Sequence, residues 1–410
     1  MRKTTYYLYL LMAFALAACA GDSDLLPIGE GDADITMPEE TSGIYGNAPI
    51  LEYDGDPITR STLTFDITTK TLQFSWEEGD LVGVFPEQEN NSKSQTTYRI
   101  NQVITPHRAK FKQNDVSVNV KKGDKYVSYK PAQINYEGNS STIPVSFANQ
   151  YQDNQVAMKY YWDTNVEGNG PNNATYRDSE KEASKHLPDY DIQVSSGAAP
   201  EDNNLSFDYT RLVSFVRLYI KLTDQITYDS VIILNKDADF IINATMDISK
   251  KVSSEAFTPT KTSHYVTLRL GARSEKDGKY SYAGFKVWDD TEKMKQAEPV
   301  DINICPMWSN KNSKAYMVVY MTFAPYAMKS LSLPDGCTLY VLGHDEAGNK
   351  KYYRATKPLT KLDLLQNKIH QWAPSDNAAP DDPIELVPVQ VEEWKADMNF
   401  DNEGTGTEDW

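Results

Sequence analysis

The chain has 410 residues, 40% of them hydrophobic, and carries a formal net charge of −17. That length suits two domains at roughly 150 residues apiece, each large enough to bury its own core. The acidic balance argues against nucleic acid as a partner, because a phosphate backbone selects a basic surface.

Arg2 and Lys3 precede an apolar stretch from Tyr6 to Leu16, and small residues then lead to Cys19. This is the three-part layout of a secretory signal. The stretch falls well short of the ~20 residues that cross a bilayer as a helix. The order Leu16-Ala17-Ala18-Cys19 resembles the bacterial lipobox, whose cysteine is lipidated and becomes the mature N-terminus. An ordinary signal peptide would leave Cys19 unexplained. Residues 1–18 are therefore read as a lipoprotein signal and Cys19 as the lipidation site. No later apolar run approaches ~18 residues, so the acyl chains are the expected membrane attachment. Residues 19–43 are mostly Gly, Asp, Glu, Pro and small polar types, too poor in apolar surface to offset ordering entropy, and read as a flexible tether.

Strand signals then follow one another. Tyr, Phe, Val, Ile and Thr alternate with polar residues between Gly, Asn, Asp and Pro breaks. Leu72, Phe74 and Trp76 share a face. After the turn Glu77-Glu78-Gly79-Asp80, the run Leu81–Phe85 reads as the returning strand of a hairpin, ended by Pro86. Thr97–Ile100, Lys125–Tyr129 and Thr142–Phe147 are further strands. From Gln150 to Asn204 the pattern weakens into polar, Asn- and Gly-rich sequence, read as long loops with a helix around Ser179–His186. Residues 44–204 form the expected N-terminal β-sandwich domain.

The clearest strand lies within Leu212–Leu222, where Val216, Leu218, Ile220 and Leu222 should face a core and Arg217 and Lys221 the solvent. Ser230–Leu234, Phe240–Asn243, Tyr265–Leu270, Phe285–Trp288, Val300–Cys305, Ala315–Phe323, Thr338–Leu342 and Lys351–Ala355 continue the series. The stretch Asp376–Pro383 reads as a linker, and Ile384–Trp394 as a last strand. Residues 205–394 make the second β-sandwich domain, and residues 395–410 an acidic tail. Short strands at this spacing, with few helices, favour an all-β fold of two sandwiches over any α/β arrangement.

Motifs that carry chemistry are few. There is no His-Glu-x-x-His helix, no Gly-x-Ser-x-Gly elbow, no phosphate-cradling Gly loop and no EF-hand loop. The five histidines are scattered and none has a Cys or His at metal-ligand spacing. His344-Asp345-Glu346 could do acid–base work, but Gly343–Asn349 has the composition of a hairpin loop. Paired acids such as Asp289-Asp290 read as solvated turns. No catalytic residue, metal site or cofactor is expected. Of three cysteines, Cys305 and Cys337 sit at strand-like positions as small hydrophobes; export permits a disulfide between them, but sequence does not place them in range. With 26 Tyr and 7 Trp, stacking on sugar rings is conceivable, and Tyr160-Tyr161-Trp162 is the candidate glycan contact, although most such aromatics pack in cores. Thr59-Arg60-Ser61 falls in a stretch expected to be an exposed loop, where a trypsin-like protease could cut.

Taken together, the lipobox, Thr59-Arg60-Ser61, the segment from Leu72 to Phe85, Lys125-Tyr126-Val127-Ser128-Tyr129-Lys130-Pro131, and Phe207-Asp208-Tyr209 before Leu212–Leu222 resemble the fimbrillin family, including its fimbrillin-like or Mfa-like branch, of Bacteroidetes surface lipoproteins. Leu364–Trp372 departs from that family's usual small-Gly-Lys-x-Tyr pattern. The resemblance implies two transthyretin-like β-sandwich domains in a pilus subunit held at the outer membrane through acylated Cys19. It implies that an Arg-specific protease cuts between Arg60 and Ser61, that Ile44–Tyr53 is the strand removed, and that other fimbrial subunits are the partners. Ile384, Leu386, Val387, Val389, Val391 and Trp394 would form the donor strand, by the logic of β-augmentation. A glycan-binding lipoprotein acting as a monomer, with host or bacterial surface glycans or proteins as targets, is the other reading.

Overall fold

Alternation of β-branched and aromatic residues with polar ones runs through the chain, and the computed structural model is correspondingly built almost wholly of strands. It describes residues 44–48, 52–53, 56–57, 64–66, 71–73, 75–87, 95–105, 107–113, 123–134, 136–152, 184, 186–198, 204–236, 239–277, 279–288, 304–306, 315–325, 337–359, 364–372 and 383–398. The signal, the tether, the linker up to residue 382 and the tail from residue 399 lie outside these.

One sheet has eight strands in the order Leu205–Asp208, Ile44–Asn47, Arg108–Gln113, Thr96–Thr105, Leu81–Glu87, Lys125–Lys130, Gln193–Ala198 and Thr210–Arg211. A second sheet orders Gln150–Gln152, Tyr265–Leu270, Thr227–Leu234, Thr338–His344, Lys350–Ala355 and Leu386–Val389, with Phe285–Trp288 and Ile304–Pro306 branching from it. A third joins Ala315–Phe323, Ser214–Leu222 and Lys368–Trp372, extended by the short pair Glu52–Tyr53 and Asp56–Pro57. Ile143–Ser146, Phe240–Met246 and Phe257–Ser263 make a smaller sheet. Fold class is thus all-β, and strands from before residue 204 pair with strands after it at several places.

The Ser214–Leu222 strand is central. Val216, Leu218, Ile220 and Leu222 enter one apolar cluster with Val231, Met317 and Leu339. Phe215 and Tyr219, on the opposite face, enter another with Tyr126, Phe207 and Tyr320. This corrects the solvent-facing expectation for Arg217. That side chain is 1% exposed, between Phe215 and Tyr219, with its guanidinium 5.6 Å from the Tyr219 ring centre. Only Lys221 keeps partial access to water, paired with Glu385. Alternation reports two environments, and here both are interior.

The expected hairpin across Glu77–Asp80 is also corrected. Thr71–Gln73 pairs with Thr64–Asp66, whereas Leu81–Glu87 pairs with Thr96–Thr105 and Lys125–Lys130. The turn exists, closed by Asp80 N–H to Glu77 O at 3.2 Å, but Gly79 and Asp80 then bond to Ile100, so the outgoing chain is taken up by a different strand. Trp76 is buried beside that turn, edge-on to Phe111 and Tyr209.

The supposed loop region from Gln150 to Asn204 supplies two strands, Gln150–Gln152 and Gln193–Ala198, and a short 3-10 helix at Leu187–Tyr190. Gln150 and Gln152 turn their amides inward and bond the Thr322, Val318 and Tyr320 backbone, which explains why polar residues can form a buried strand. The helix read at Ser179–His186 lies largely outside the described residues; the chain turns at Ser184 and His186.

Candidate strand-exchange interface

The stretch Ile44–Tyr53 is not one strand: Ile44–Asn47 lies in the first sheet, whereas Glu52–Tyr53 runs parallel to Lys368–Trp372 in the third. Ile44–Asn47 is only four residues long but is bonded on both sides. It runs parallel to Leu205–Asp208 and antiparallel to Arg108–Gln113. Its register is fixed by close fit. A Cβ at Gly46 would stand 2.3 Å from the Phe111 ring and 3.0 Å from that of Tyr209, so the position admits no side chain. Tyr45, facing the other way, is 2% exposed, with the Arg108 guanidinium 5.0 Å from its ring centre and the Lys110 ammonium 5.6 Å. Asn47 closes the strand by donating to Asp208 Oδ1 at 2.7 Å and accepting from Arg108 at 3.3 Å. Its loss would open two ladders of backbone donors and acceptors at once.

At the other end of the chain, Ile384 bridges Ile220 and is buried to 1%. Glu385 pairs with Lys221 at 2.6 Å. Leu386–Val389 then runs antiparallel to Lys350–Ala355 as the edge of its sheet. Pro388 lacks an N–H, a loss that an edge strand tolerates. Leu386 turns inward, whereas Val387 is 36% exposed. Burying Ile384 and Leu386 contributes on the order of 1.5–3 kcal/mol each. The strand expected through Trp394 ends at Val389. Val391–Met398 is a helix, so Val391 and Trp394 belong to a different element from Ile384, Leu386, Val387 and Val389. Trp394 is 4% exposed and lies 4.8 Å, ring to ring, from Tyr352, and Glu393 pairs with Arg354. The acid-rich first turn, Glu392 and Glu393, favours helix there over continued strand.

A buried charge cluster ties the first sheet to the segment before Lys368–Trp372. Arg211 donates to both Asp191 oxygens, at 2.5 and 3.0 Å, and to Asn367 Oδ1 at 2.8 Å. Lys130 lies 3.8 Å from Asp191 and 4.6 Å from the Trp76 ring centre. Burial lowers the Lys130 ammonium to about 8, against the pull of Asp191 and Asp80. A cleft of about 600 Å³ opens nearby, lined by Tyr129, Gln133, Tyr190, Asn243 and Thr245 among others.

His344-Asp345-Glu346 is a hairpin loop between Thr338–His344 and Lys350–Ala355. Hydrogen bonds from Asn349 hold the Asp345 carboxyl down to about 2. His344 Nδ1 instead meets Asp229 of the neighbouring strand at 2.8 Å. Cys337 is free and buried. Among the described residues, no group of three or more His, Cys, Asp or Glu is placed to hold a metal, and no helix is long and apolar enough to cross a membrane. Cys19, Arg60, Ser61, Tyr160, Tyr161 and Trp162 lie outside the described residues, as does the Cys305 side chain.

One exposed cluster leaves little trace in the sequence. Tyr151, Arg273, Tyr280 and Tyr282 come together around the two-stranded ribbon of Arg273–Lys276 and Lys279–Tyr282. The available signal was Asp277-Gly278, a two-residue turn pair. It was obscured because Arg273–Lys276, on one side of the turn, is wholly polar and shows no apolar alternation.

No family model matches the chain, and no curated protein matches it. Among solved structures it is similar to a candidate cell adhesion protein of Bacteroides ovatus, at 10% identity and a TM-score of 0.36 over 85% of this chain and 95% of the other. It is similar also to a candidate cell adhesion protein of Bacteroides uniformis, at 12% identity and 0.36 over 81% and 94%. A third is the fimbrial anchor protein Mfa2 of Porphyromonas gingivalis, at 10% identity and 0.30 over 85% and 95%.

Proposed function

We propose that this chain is an exported, lipid-anchored structural or accessory subunit of a cell-surface fimbria, with no catalytic role, that joins its neighbours by donor-strand exchange and contributes to adhesion. The observation that carries the reading is the placement of the two terminal strands. Ile44–Asn47 fills a slot between two strands of one sheet, and Leu386–Val389 closes the edge of another just after Ile384 bridges to Ile220. Both are short, and each is held mainly by backbone pairing and one or two inward side chains. Such elements can be replaced by an equivalent strand from a second molecule, because main-chain bonds give affinity and alternate side chains give register. The sequence motifs that resemble fimbrillins supply the complementary part, an Arg at position 60 that follows Ile44–Asn47 and the short pair Glu52–Tyr53 and Asp56–Pro57.

The test is limited digestion of the purified mature protein with an Arg-specific protease, followed by mass spectrometry and light scattering. A single cut between Arg60 and Ser61, release of the fragment containing Ile44–Asn47 and growth of oligomers are expected. A protein that is cut at Arg60 yet keeps the fragment and stays monomeric would refute strand exchange at this slot.

A further inference from the structure

The ribbon formed by Arg273–Lys276 and Lys279–Tyr282 stands on a base that only glycine permits. Gly271 and Gly284 have φ of 91° and 71°, and a Cβ on Gly271 would lie 2.4 Å from the Gly284 nitrogen. Gly271 N–H bonds to Gln152 O at 3.0 Å, which fixes the ribbon beside the strand carrying Tyr151. Tyr151 is itself set by Tyr190, whose hydroxyl accepts its N–H at 3.3 Å and donates to Asn149 O at 3.0 Å.

Register places Arg273 opposite Tyr282 and Glu275 opposite Tyr280, all on one ribbon face, while the hydroxyls of Ser274 and Ser281 meet on the other. The Arg273 guanidinium lies 4.4 Å from the Tyr151 ring centre and 4.7 Å from that of Tyr280. Tyr282 stands 6.1 Å from Tyr151, and Tyr280 is 51% exposed. Among the described residues no carboxylate lies within ion-pair distance of Arg273, although the chain carries a net charge of −17. Rings hold the guanidinium, and its planar fork of N–H donors is left for an outside acceptor. That fork matches a carboxylate bidentately.

The geometry points to this platform as a binding site for saccharides bearing a ring carboxylate, the uronic or sialic acids, with Arg273 on the carboxylate and Tyr280 stacked on a pyranose face. A saccharide is favoured over a protein partner by size. Four residues of strand span roughly 13 Å, the length of about two sugar rings, whereas a stable protein interface covers about 800 Å² per partner. Long-range attraction contributes nothing, since the whole chain repels anions, so recognition depends on contact. Glu275 shares the face and opposes the ligand's charge. The inference rests on the adhesive part of the proposed function, but not on strand exchange.

The experiment titrates the full mature protein with 3′-sialyllactose, a hyaluronan tetrasaccharide and lactose, by calorimetry or ligand-observed NMR. At least one acidic sugar should bind ten-fold or more tighter than lactose, and which one does so separates the sialic from the uronic source. Arg273→Ala and Arg273→Lys should each remove that preference, since lysine keeps the charge but not the planar fork. Tyr280→Ala should weaken the acidic sugar five-fold or more, and Glu275→Gln should tighten it about two-fold. These side chains are exposed, so an unchanged near-UV spectrum verifies folding. Absence of a ten-fold preference for either acidic sugar, or a preference that survives Arg273→Ala, overturns the site. Self-association abolished by Arg273→Ala would make it a protein interface and overturns it as well. The saccharide titrations do not bear on whether the protease releases the fragment containing Ile44–Asn47, so the two readings fail independently.

Discussion

Ile384 donates its backbone N–H to the carbonyl of Tyr219 at 2.7 Å and accepts from Lys221 at 2.9 Å, so the last strand begins by bonding to the central one. The side chain is buried against the cluster that holds Ile220. Ile384→Ala should cost about 2–4 kcal/mol in urea denaturation, the usual penalty for emptying such a site. A chain ending at residue 383 should lose more and regain stability when a synthetic peptide of residues 384–394 is added. Indifference of the truncated chain to that peptide would remove Ile384–Val389 as a transferable element.

Asp191 and Arg211 are both fully buried, and neither can be solvated if the other is deleted. Asp191→Ala or Arg211→Ala should therefore destabilise by about 3–5 kcal/mol. The double variant Asp191→Leu with Arg211→Met should recover only part of that, because it strands neither of those two charges but leaves the buried Lys130 ammonium without Asp191. A double-mutant cycle by chemical denaturation measures the coupling.

Lys130 gives the protein a definite alkaline signature. Burial lowers its folded pKa from 10.5 to about 8. Between these values the unfolded chain holds a proton that the folded chain has released, so the penalty present below pH 8 is relieved as pH rises towards 10.5. Cys337, raised by burial from 9 to about 12, acts in the opposite sense, as do Tyr98 and Tyr129, raised from 10 to about 12. Each keeps its proton longer in the folded state, so its contribution is lost as pH climbs towards 12. Unfolding free energies at pH 7.5, 9 and 10 should move in favour of the wild type relative to Lys130→Met. A pH-independent difference between the two would contradict the assignment.

Cys337 should also resist thiol reagents. Its thiolate is disfavoured by burial and the residue is 1% exposed. In a Cys305→Ser variant, maleimide labelling of Cys337 should be slow in buffer and fast in urea, at a rate that follows unfolding. Rapid labelling of the folded protein would show that the bridge between Cys337 and Leu359 opens readily.

The strands with strong alternation were legible from residues alone. Tyr265–Leu270 and Ala315–Phe323 have the ends expected of them, because apolar runs bounded by polar breaks leave little freedom. Arg217 was not, since a lone charge among apolar neighbours usually marks a solvent face. The contrary signal was that Phe215 and Tyr219 share its side of the strand. The turn at Glu77–Asp80 was legible but its pairing was not, because turn chemistry is local and the capture of Leu81–Glu87 by Thr96–Thr105 is tertiary. The same holds for Val391 and Trp394, where apolar spacing suits a strand and a helix alike until Tyr352 is seen to receive the indole. The platform around Arg273 was invisible to sequence because Tyr151 reaches it from a segment more than a hundred residues away.

Ser214–Leu222 serves two interiors with its two faces, and it lies near the middle of the chain. Order of synthesis then matters. The strands of the eight-stranded sheet are all made before it, yet Phe215 and Tyr219 arrive only with it, and Val318, Tyr320 and Ile369 of the same cluster later still. The first half of the molecule must therefore wait, with its apolar face uncovered, for the second half to be completed. A protein built this way depends on whatever shelters it while it is being made, and it matures as a whole, not in instalments.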